Sequence, residues 1–390
     1  MSLMFPEILI DAVHQVLEDE VGPLFGVRAP ARIEILGNHT DYNGGLVLAT
    51  TIDRFIWAIG TLSDDARFYS IEFNETIKFD SENQASFDSN SWSNYVRGVY
   101  WAFKRRNHAV RGIAGAIHGN IPLGAGLGSS AALQVALVNI ITQANNLKIH
   151  PKSRAMLAFE SERLFCGISC GVMDQFTSQL GKPNSLLGIH CSSLLTQDIA
   201  IPAGVSFIVV NSMVSRDSSA ILNERREEAQ KALLILQEAG WGVPSLSEIV
   251  AEDLNTVSEM LDEKLLNRVT HIINENQRVR EGISLLQQKQ VNEFGKLMIE
   301  SHTSSRDLYE VSHPNLETLM EISQRFEANL GSRLTGAGRG GNLVILSKTK
   351  DTESLANEIT KEYETETGLL AETSICTIPG GVTVEGLQKL

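Results

Sequence analysis

The chain has 390 residues, 43% hydrophobic and 21% charged, with a formal net charge of −14. That length accommodates two domains, each with its own core. So acidic a chain lacks the basic surface that a general nucleic-acid or anionic-membrane binder needs, and no apolar run reaches the length of a membrane span, so neither nucleic acid nor membrane is expected as a partner.

Apolar positions at helical spacing, Ile8, Ile10, Val13, Val16 and Leu17, predict an amphipathic helix over residues 5–20. Strands over 25–36 and 46–62, the second rich in β-branched residues, flank a polar loop, Gly37-Asn-His-Thr-Asp-Tyr-Asn-Gly-Gly45. The loop gathers His39 and Asp41 among small residues, a composition suited to hydroxyl recognition, although Asp-Tyr-Asn-Gly is equally a good turn. Residues 80–92 are rich in Ser, Asn and Asp and predict a surface loop. Trp92 then opens a helix to Phe103, placed either to stack on a planar base or to cover the core.

The centre of the chain is Pro122-Leu-Gly-Ala-Gly-Leu-Gly-Ser-Ser-Ala-Ala-Leu133, between an apolar run over 113–121 and a strongly apolar stretch over 131–144. That order predicts strand, tight loop and buried helix. Glycines let the backbone turn with positive φ and approach a ligand closely, and Ser129 and Ser130 fall where a helix begins with unpaired N–H groups. Such a loop suits an anion, most often phosphate, or serves as a plain connecting turn. It is no Walker loop, since G-x-x-x-x-G-K-[ST] is absent. It is no dinucleotide fingerprint either, since the spacing is G-x-G-x-G and residues 144–150 hold no carboxylate.

Residues 153–165 predict a helix with Glu162 near its end. The glycine-flanked Cys166-Gly-Ile-Ser-Cys-Gly171-Val-Met-Asp174-Gln would hold a carboxylate in a fixed pose. Cys166 and Cys170 find no second pair to complete a metal site and read as packing residues. With Cys191 and Cys376 they lack the density of a disulfide scaffold, so reduced thiols in a cytoplasmic protein are expected. A change of texture near residue 200 predicts a domain boundary. Beyond it come a strand over 205–210, a largely helical pattern over 218–325 with solvated charged faces such as Asn223-Glu-Arg-Arg-Glu-Glu, and a second glycine knot, Thr335-Gly-Ala-Gly-Arg-Gly-Gly341, before a strand over 343–346. A helix, a strand and the turn Pro379-Gly-Gly381 follow.

Taken together, Ala31-Arg-Ile-Glu-Ile-Leu-Gly-Asn-His-Thr-Asp-Tyr-Asn43, the loop at 122–133 and Leu334-Thr-Gly-Ala-Gly-Arg-Gly-Gly341 resemble the three motifs of the GHMP kinases, and within that superfamily the galactokinases. Trp92-x-x-Tyr95-Val, Val172-Met-Asp-Gln175 and Tyr309-Glu-Val-Ser-His-Pro are similar to galactokinase segments too, and six ordered matches are more specific than any one. The resemblance implies an α+β, two-domain GHMP kinase fold, with domains over 1–203 and 204–390 and the active site in the cleft between them. It implies ATP-dependent phosphorylation of the anomeric hydroxyl of galactose or a closely related hexose by a monomer.

Position by position, the resemblance makes Asp174 the base facing, or the group orienting, the anomeric hydroxyl, and Arg32 its partner, stabilising charge on the transferring phosphoryl group. Ser130 and Glu162 would hold Mg²⁺. Gly124, Gly126, Gly128 and Ser129 would donate backbone N–H groups to the phosphates, and Trp92 would lie by the adenine. Asn38, His39, Asp41, Gly171 and Leu222 fall at sugar-contact positions. Two of these depart from the family: Asn38 stands where a Glu is usual, and Leu222 where a Tyr is usual. Losing a polar contact shifts discrimination between sugars, so a C6-modified substrate such as galacturonate is an alternative, as is a non-catalytic galactose and ATP sensor. In the third motif Arg339 replaces a common Phe, to add a cation near the site or to point into solvent.

Overall fold

The strands of the chain divide between two sheets, and the long strand that carries Arg32 and Glu34 is an interior strand of the larger one, second from its edge. The computed structural model describes residues 5–17, 20, 22–81, 91–122, 124–215 and 218–387. The polar segment 82–90, residues 18–19 of the expected first helix and Leu123 of the glycine loop lie outside them.

In chain order the elements are α1 (Glu7–Leu17), β1 (Leu24–Leu36), β2 (Leu46–Ser63), β3 (Asp65–Ser70), β4 (Glu75–Asp80), α2 (Ser93–Arg105), β5 (Gly112–Gly119), α3 (Ser129–Ala144), α4 (Pro151–Glu160), α5 (Met173–Leu180), β6 (Ser185–His190) and β7 (Leu195–Ala200). There follow β8 (Val205–Asn211), α6 (Ser218–Glu238), α7 (Leu254–Ser258), α8 (Glu263–Gln287), α9 (Val291–Asp307), α10 (Pro314–Gln324), β9 (Asn329–Thr335), β10 (Asn342–Lys348), α11 (Thr352–Thr367), β11 (Glu372–Cys376) and β12 (Thr383–Leu387).

The first sheet runs β12-β1-β2-β5-β3-β4, with β6 and β7 attached to the other half of β2. β2 is long enough to pair with β5 through Ile56–Ser63 and with β6 through Leu46–Ala49. The second sheet runs β11-β8-β10-β9. The chain changes sheet between β7 and β8, but β12 crosses back to pair with β1, from Leu24 opposite Leu387 to Arg28 opposite Thr383. A division at 203/204 therefore separates the sheets except for this last strand.

α3 explains why the glycine loop sits where it does. Its residues Val135, Leu137, Val138, Ile140 and Ile141 are fully buried, with Gln134, Asn139 and Thr142 buried beside them, so the helix is enclosed on nearly every side and is driven under β1 and β2. Each such side chain contributes about 1.5–3 kcal/mol on burial. The anchored helix holds its N-terminus, and the loop before it, against β1.

The expected helices and strands are present with ends shifted by a few residues, but two hairpins, β3–β4 and β6–β7, and the strands β9 and β12 were not foreseen. The helix expected over 153–165 is also not one regular helix. It ends at Glu160 and continues as a π turn, Ser161–Phe165, in which Cys166 N donates to Ser161 O, five residues back. The wider turn carries Glu162, as such turns often do at functional sites.

Candidate active site

β1 brings Arg32 and Glu34 to one face, because side chains alternate along a strand. They form the floor of a cleft of about 280 Å³, close to the lower end of the small-molecule range of roughly 300–1,000 Å³, which suits a monosaccharide better than a polymer. The loop after β1 supplies Asn38, His39, Asp41 and Tyr42 to its wall. The glycine loop and α3 supply Gly124, Gly126, Gly128, Ser129 and Ser130, and the turn after β9 supplies Gly336 and Ala337. Glu162, Gly171, Asp174 and Leu222 also line it, so the structure gathers nearly every expected site residue into one place.

Arg32 is the junction. Its Nε donates to Asp174 Oδ1 at 2.7 Å and its Nη2 to Asp174 Oδ2, a bidentate charge-assisted pair, while Nη1 donates to Gly126 O at 2.6 Å. Burial alone would weaken the guanidinium's hold on its proton, but Asp174, with Glu34 and Asp41, outweighs it and the pKa is raised.

The glycine loop is held by its carbonyls. Leu127 O accepts from Arg32 N at 3.1 Å, Gly126 O from the Arg32 side chain, and Ala125 O from Asn342 Nδ2 on β10. Gly124, Gly126 and Gly128 have φ of 71°, 80° and 78°, alternating with ordinary residues, the alternation by which successive backbone N–H groups can converge on an anion as a nest. The first N–H groups of α3, free at any helix start, extend that nest and add the positive end of the helix dipole.

Ser130 Oγ, at the start of α3, donates to Glu162 Oε1 at 2.7 Å, and Gln175 Nε2 donates to Glu162 Oε2 at 2.5 Å. Burial pushes the Glu162 carboxyl up to about 7, against the pull of Ser130. Asp41 is also raised to about 7, by burial first and then by Glu34 and Asp174. Its Oδ1 accepts from Tyr42 N at 2.9 Å. Gly171 is glycine for lack of room: a Cβ there would lie 2.1 Å from Asp41 Oδ2.

Several expected contacts are spent elsewhere. His39 Nε2 lies 3.2 Å from Ala337 O, which can only accept, so Nε2 carries the proton and Nδ1 accepts from Tyr42 Oη at 2.8 Å. Burial, then His271, lower its pKa to about 3, so the ring is neutral with both nitrogens used. Asn38 donates to Glu34 Oε2 at 3.0 Å and Gly336 O at 3.1 Å and accepts from Ser305 Oγ at 3.0 Å. Arg339 pairs with Glu224 on α6 at 2.8 Å, tying the third motif to the helix that carries Leu222. Leu222 faces the cleft and packs on the cluster containing Ile221, Tyr309 and Ala337.

Trp92 is not brought into the cleft. It stacks on Phe73, ring centroids 5.7 Å apart and 8° from parallel, and its Nε1 donates to Glu75 Oε2 at 2.7 Å. Tyr95, one helical turn on, lines the cleft instead. The residue that sequence reasoning passed over is Glu34, and its period-two relation to Arg32 on a predicted strand was the signal that could have found it.

Comparisons with known proteins agree with this geometry. Residues 15–61 match the galactokinase galactose-binding signature, residues 94–182 the GHMP kinases N terminal domain and residues 283–365 the GHMP kinases C terminal. The galactokinase of Roseiflexus sp. (strain RS-1) is 34% identical over 359 residues, covering 91% of this chain and 92% of that protein. The crystal structure of Lactococcus lactis galactokinase complexed with galactose superposes with a TM-score of 0.91 at 28% identity, covering 96% of this chain and 99% of the other. The Methanococcus jannaschii mevalonate kinase shares the fold at a TM-score of 0.65 and 17% identity, covering 92% of this chain and 99% of that one.

Proposed function

The chain belongs to the galactokinase family of the GHMP kinases, and from that premise we propose that it transfers the γ-phosphoryl group of ATP to the anomeric hydroxyl of galactose or a closely related neutral hexose. The observation that carries the reading is the position of Arg32, which holds Asp174 with one edge of its guanidinium and the glycine loop at Gly126 with another. Acceptor activation and donor binding thereby meet at one cation.

In this mechanism the sugar's anomeric hydroxyl donates to Asp174, which orients it and receives its proton as the bond to phosphorus forms. Arg32 offsets the negative charge that develops on the transferring group. The N–H groups of Gly124, Gly126, Gly128 and Ser129 take the phosphates of ATP. Ser130 and Glu162 present hard oxygen ligands side by side, a donor set that fits Mg²⁺ completed by phosphate oxygens and water. When bound there, the ion neutralises phosphate charge. Trp92 enters no step.

A neutral acceptor fits the charge of the cleft. Among the residues lining the cleft, Glu34, Asp41, Glu162 and Asp174 outnumber the one cation, Arg32, with Arg333 behind Glu34, and His39 is uncharged, so a galacturonate carboxylate meets net repulsion. A sensor that never phosphorylates has no use for Asp174, Arg32, Ser130 and Glu162 in one cleft. All of these groups come from one chain, consistent with a monomer. No described helix is long and apolar enough to cross a membrane, and the four cysteines are unpaired, as fits a cytoplasmic enzyme. The test is ADP release with Mg-ATP and a panel of galactose, galacturonate and galactosamine. Turnover is expected with galactose, and no sugar-dependent ADP with any of them would refute the reading.

A further inference from the structure

Resting on that reading, we propose that Glu34 is the carboxylate that selects the sugar, accepting a hydroxyl on the side of the ring away from the reacting carbon, and that Asn38 is a positioning residue which aims it. Glu34 lines the cleft although only 2% exposed. One of its oxygens is already committed: Oε2 accepts from Asn38 Nδ2 at 3.0 Å and lies 4.0 Å from Arg333 Nη2. The other, Oε1, has no hydrogen-bond partner among the described residues. A carboxylate oxygen left open at a cleft of monosaccharide size is satisfied by an O–H donor, and a sugar ring brings several.

Burial, with Glu275 near by, raises the pKa of Glu34, and Arg333 and the Asn38 hydrogen bond pull against that rise. Arg333 is fully buried on β9, and its three guanidinium nitrogens have no hydrogen-bond partner among the described residues, so its contribution to Glu34 is a fixed positive field. Glu34 N donates to Thr335 Oγ1 at 2.9 Å, which fixes the strand against the second sheet. Asn38 has both amide hydrogens committed, to Glu34 and Gly336 O, and its oxygen accepts from Ser305. It therefore acts on the sugar through Glu34. A carboxylate contact expected at position 38 is thus supplied from position 34, four residues earlier on β1.

Geometry sets which end of the sugar is read. Arg32 and Glu34 are two residues apart on one face of β1, about 6.6 Å at the usual rise of a strand. Asp174 is paired to Arg32, so a ring with its anomeric hydroxyl at Asp174 extends toward Glu34.

The experiment is calorimetric binding of galactose and its 3-, 4- and 6-deoxy analogues to the full-length protein and to Glu34→Gln, with product formation measured in parallel. One analogue should bind the wild type at least about tenfold more weakly than galactose, the usual size of a hydrogen bond to a charged group, and that difference should vanish in the variant. Galacturonate should bind Glu34→Gln more tightly than wild type. If the Gln variant does not fold, Glu34→Asp, which keeps the charge and withdraws it by one methylene, should erase the same analogue difference. Deoxy penalties that persist unchanged in the variant, or galactose binding equal to wild type, would overturn the assignment. Sugar binding with the expected pattern but no sugar phosphate would leave Glu34 assigned and remove the kinase reading instead.

Discussion

Arg32 grips Asp174 through both carboxylate oxygens and still has a nitrogen left for the carbonyl of Gly126. Lysine cannot reproduce this fork, because an ammonium is a point charge without planar, parallel donors. Arg32→Lys should therefore lower kcat by about 10²–10³-fold, the range seen when one preorganised donor to a developing charge is removed. Steady-state kinetics would check this, and a KM effect with kcat intact would place Arg32 in ground-state binding alone.

Gly171→Ala should damage sugar binding specifically. The added methyl would sit 2.1 Å from Asp41 Oδ2 and must displace that carboxylate. Misplacement by about 1 Å is worth up to about 10²-fold, so KM for the sugar should rise at least about tenfold while KM for ATP stays within about twofold. Parallel titration of the two substrates separates these outcomes.

Asp41 gives the enzyme a pH dependence. Its carboxyl is raised to about 7 by burial, then by Glu34 and Asp174, so it becomes protonated as pH falls through 7. Sugar kcat/KM should fall on that acid limb, to which Glu162, also raised to about 7, contributes, so Asp41→Asn should make the limb shallower and remove much of the sugar affinity. The sign for stability is opposite. A carboxyl whose folded pKa is raised stabilises the fold below its unfolded value, and that contribution is lost as pH rises to the folded one. Asp41→Asn should therefore melt higher than wild type above pH 7 and no higher near pH 4, measured by thermal unfolding across that range.

Asn342 supports the phosphate loop from the second sheet, through its bond to Ala125 O. It lies outside the cleft lining, so Asn342→Leu should leave the sugar site intact. An orphaned buried carbonyl costs about 1–3 kcal/mol, and a loop freed to turn its carbonyl should raise KM for ATP by about tenfold. Unchanged ATP kinetics in a folded variant would show that Arg32 alone holds the loop.

Much of this site was legible in the sequence because its signals are local. The alternating glycines before Ser129 and Ser130 permit a turn with positive φ, and an apolar helix after them must be buried. The uses of Asn38 and His39 were not legible. Their positions at the cleft followed from the motif, but their hydrogen bonds go to Ser305, Gly336 and Ala337, more than 260 residues away, and only the folded chain shows those atoms consumed. Glu34 was hidden differently: flanked by Ile33 and Ile35, it reads as an ordinary strand residue until its face is known. The packing of Trp92 was not legible because an aromatic at a helix start has two uses, and its stacking partner Phe73 lies in the turn of an unforeseen hairpin. Of the hairpins, the Glu75–Asp80 strand does alternate, burying only Ile77 and Phe79, and is legible in hindsight, whereas the Leu195–Ala200 strand is largely exposed and buries only Ile199.

The central claim, phosphoryl transfer from ATP to the anomeric oxygen of galactose, is tested most directly by ³¹P NMR of the purified protein with Mg-ATP and galactose. Loss of ATP should be matched by ADP and one new resonance coupled to the anomeric proton of the sugar. ATP that stays intact, or a phosphate coupled to protons at any other carbon, would contradict it.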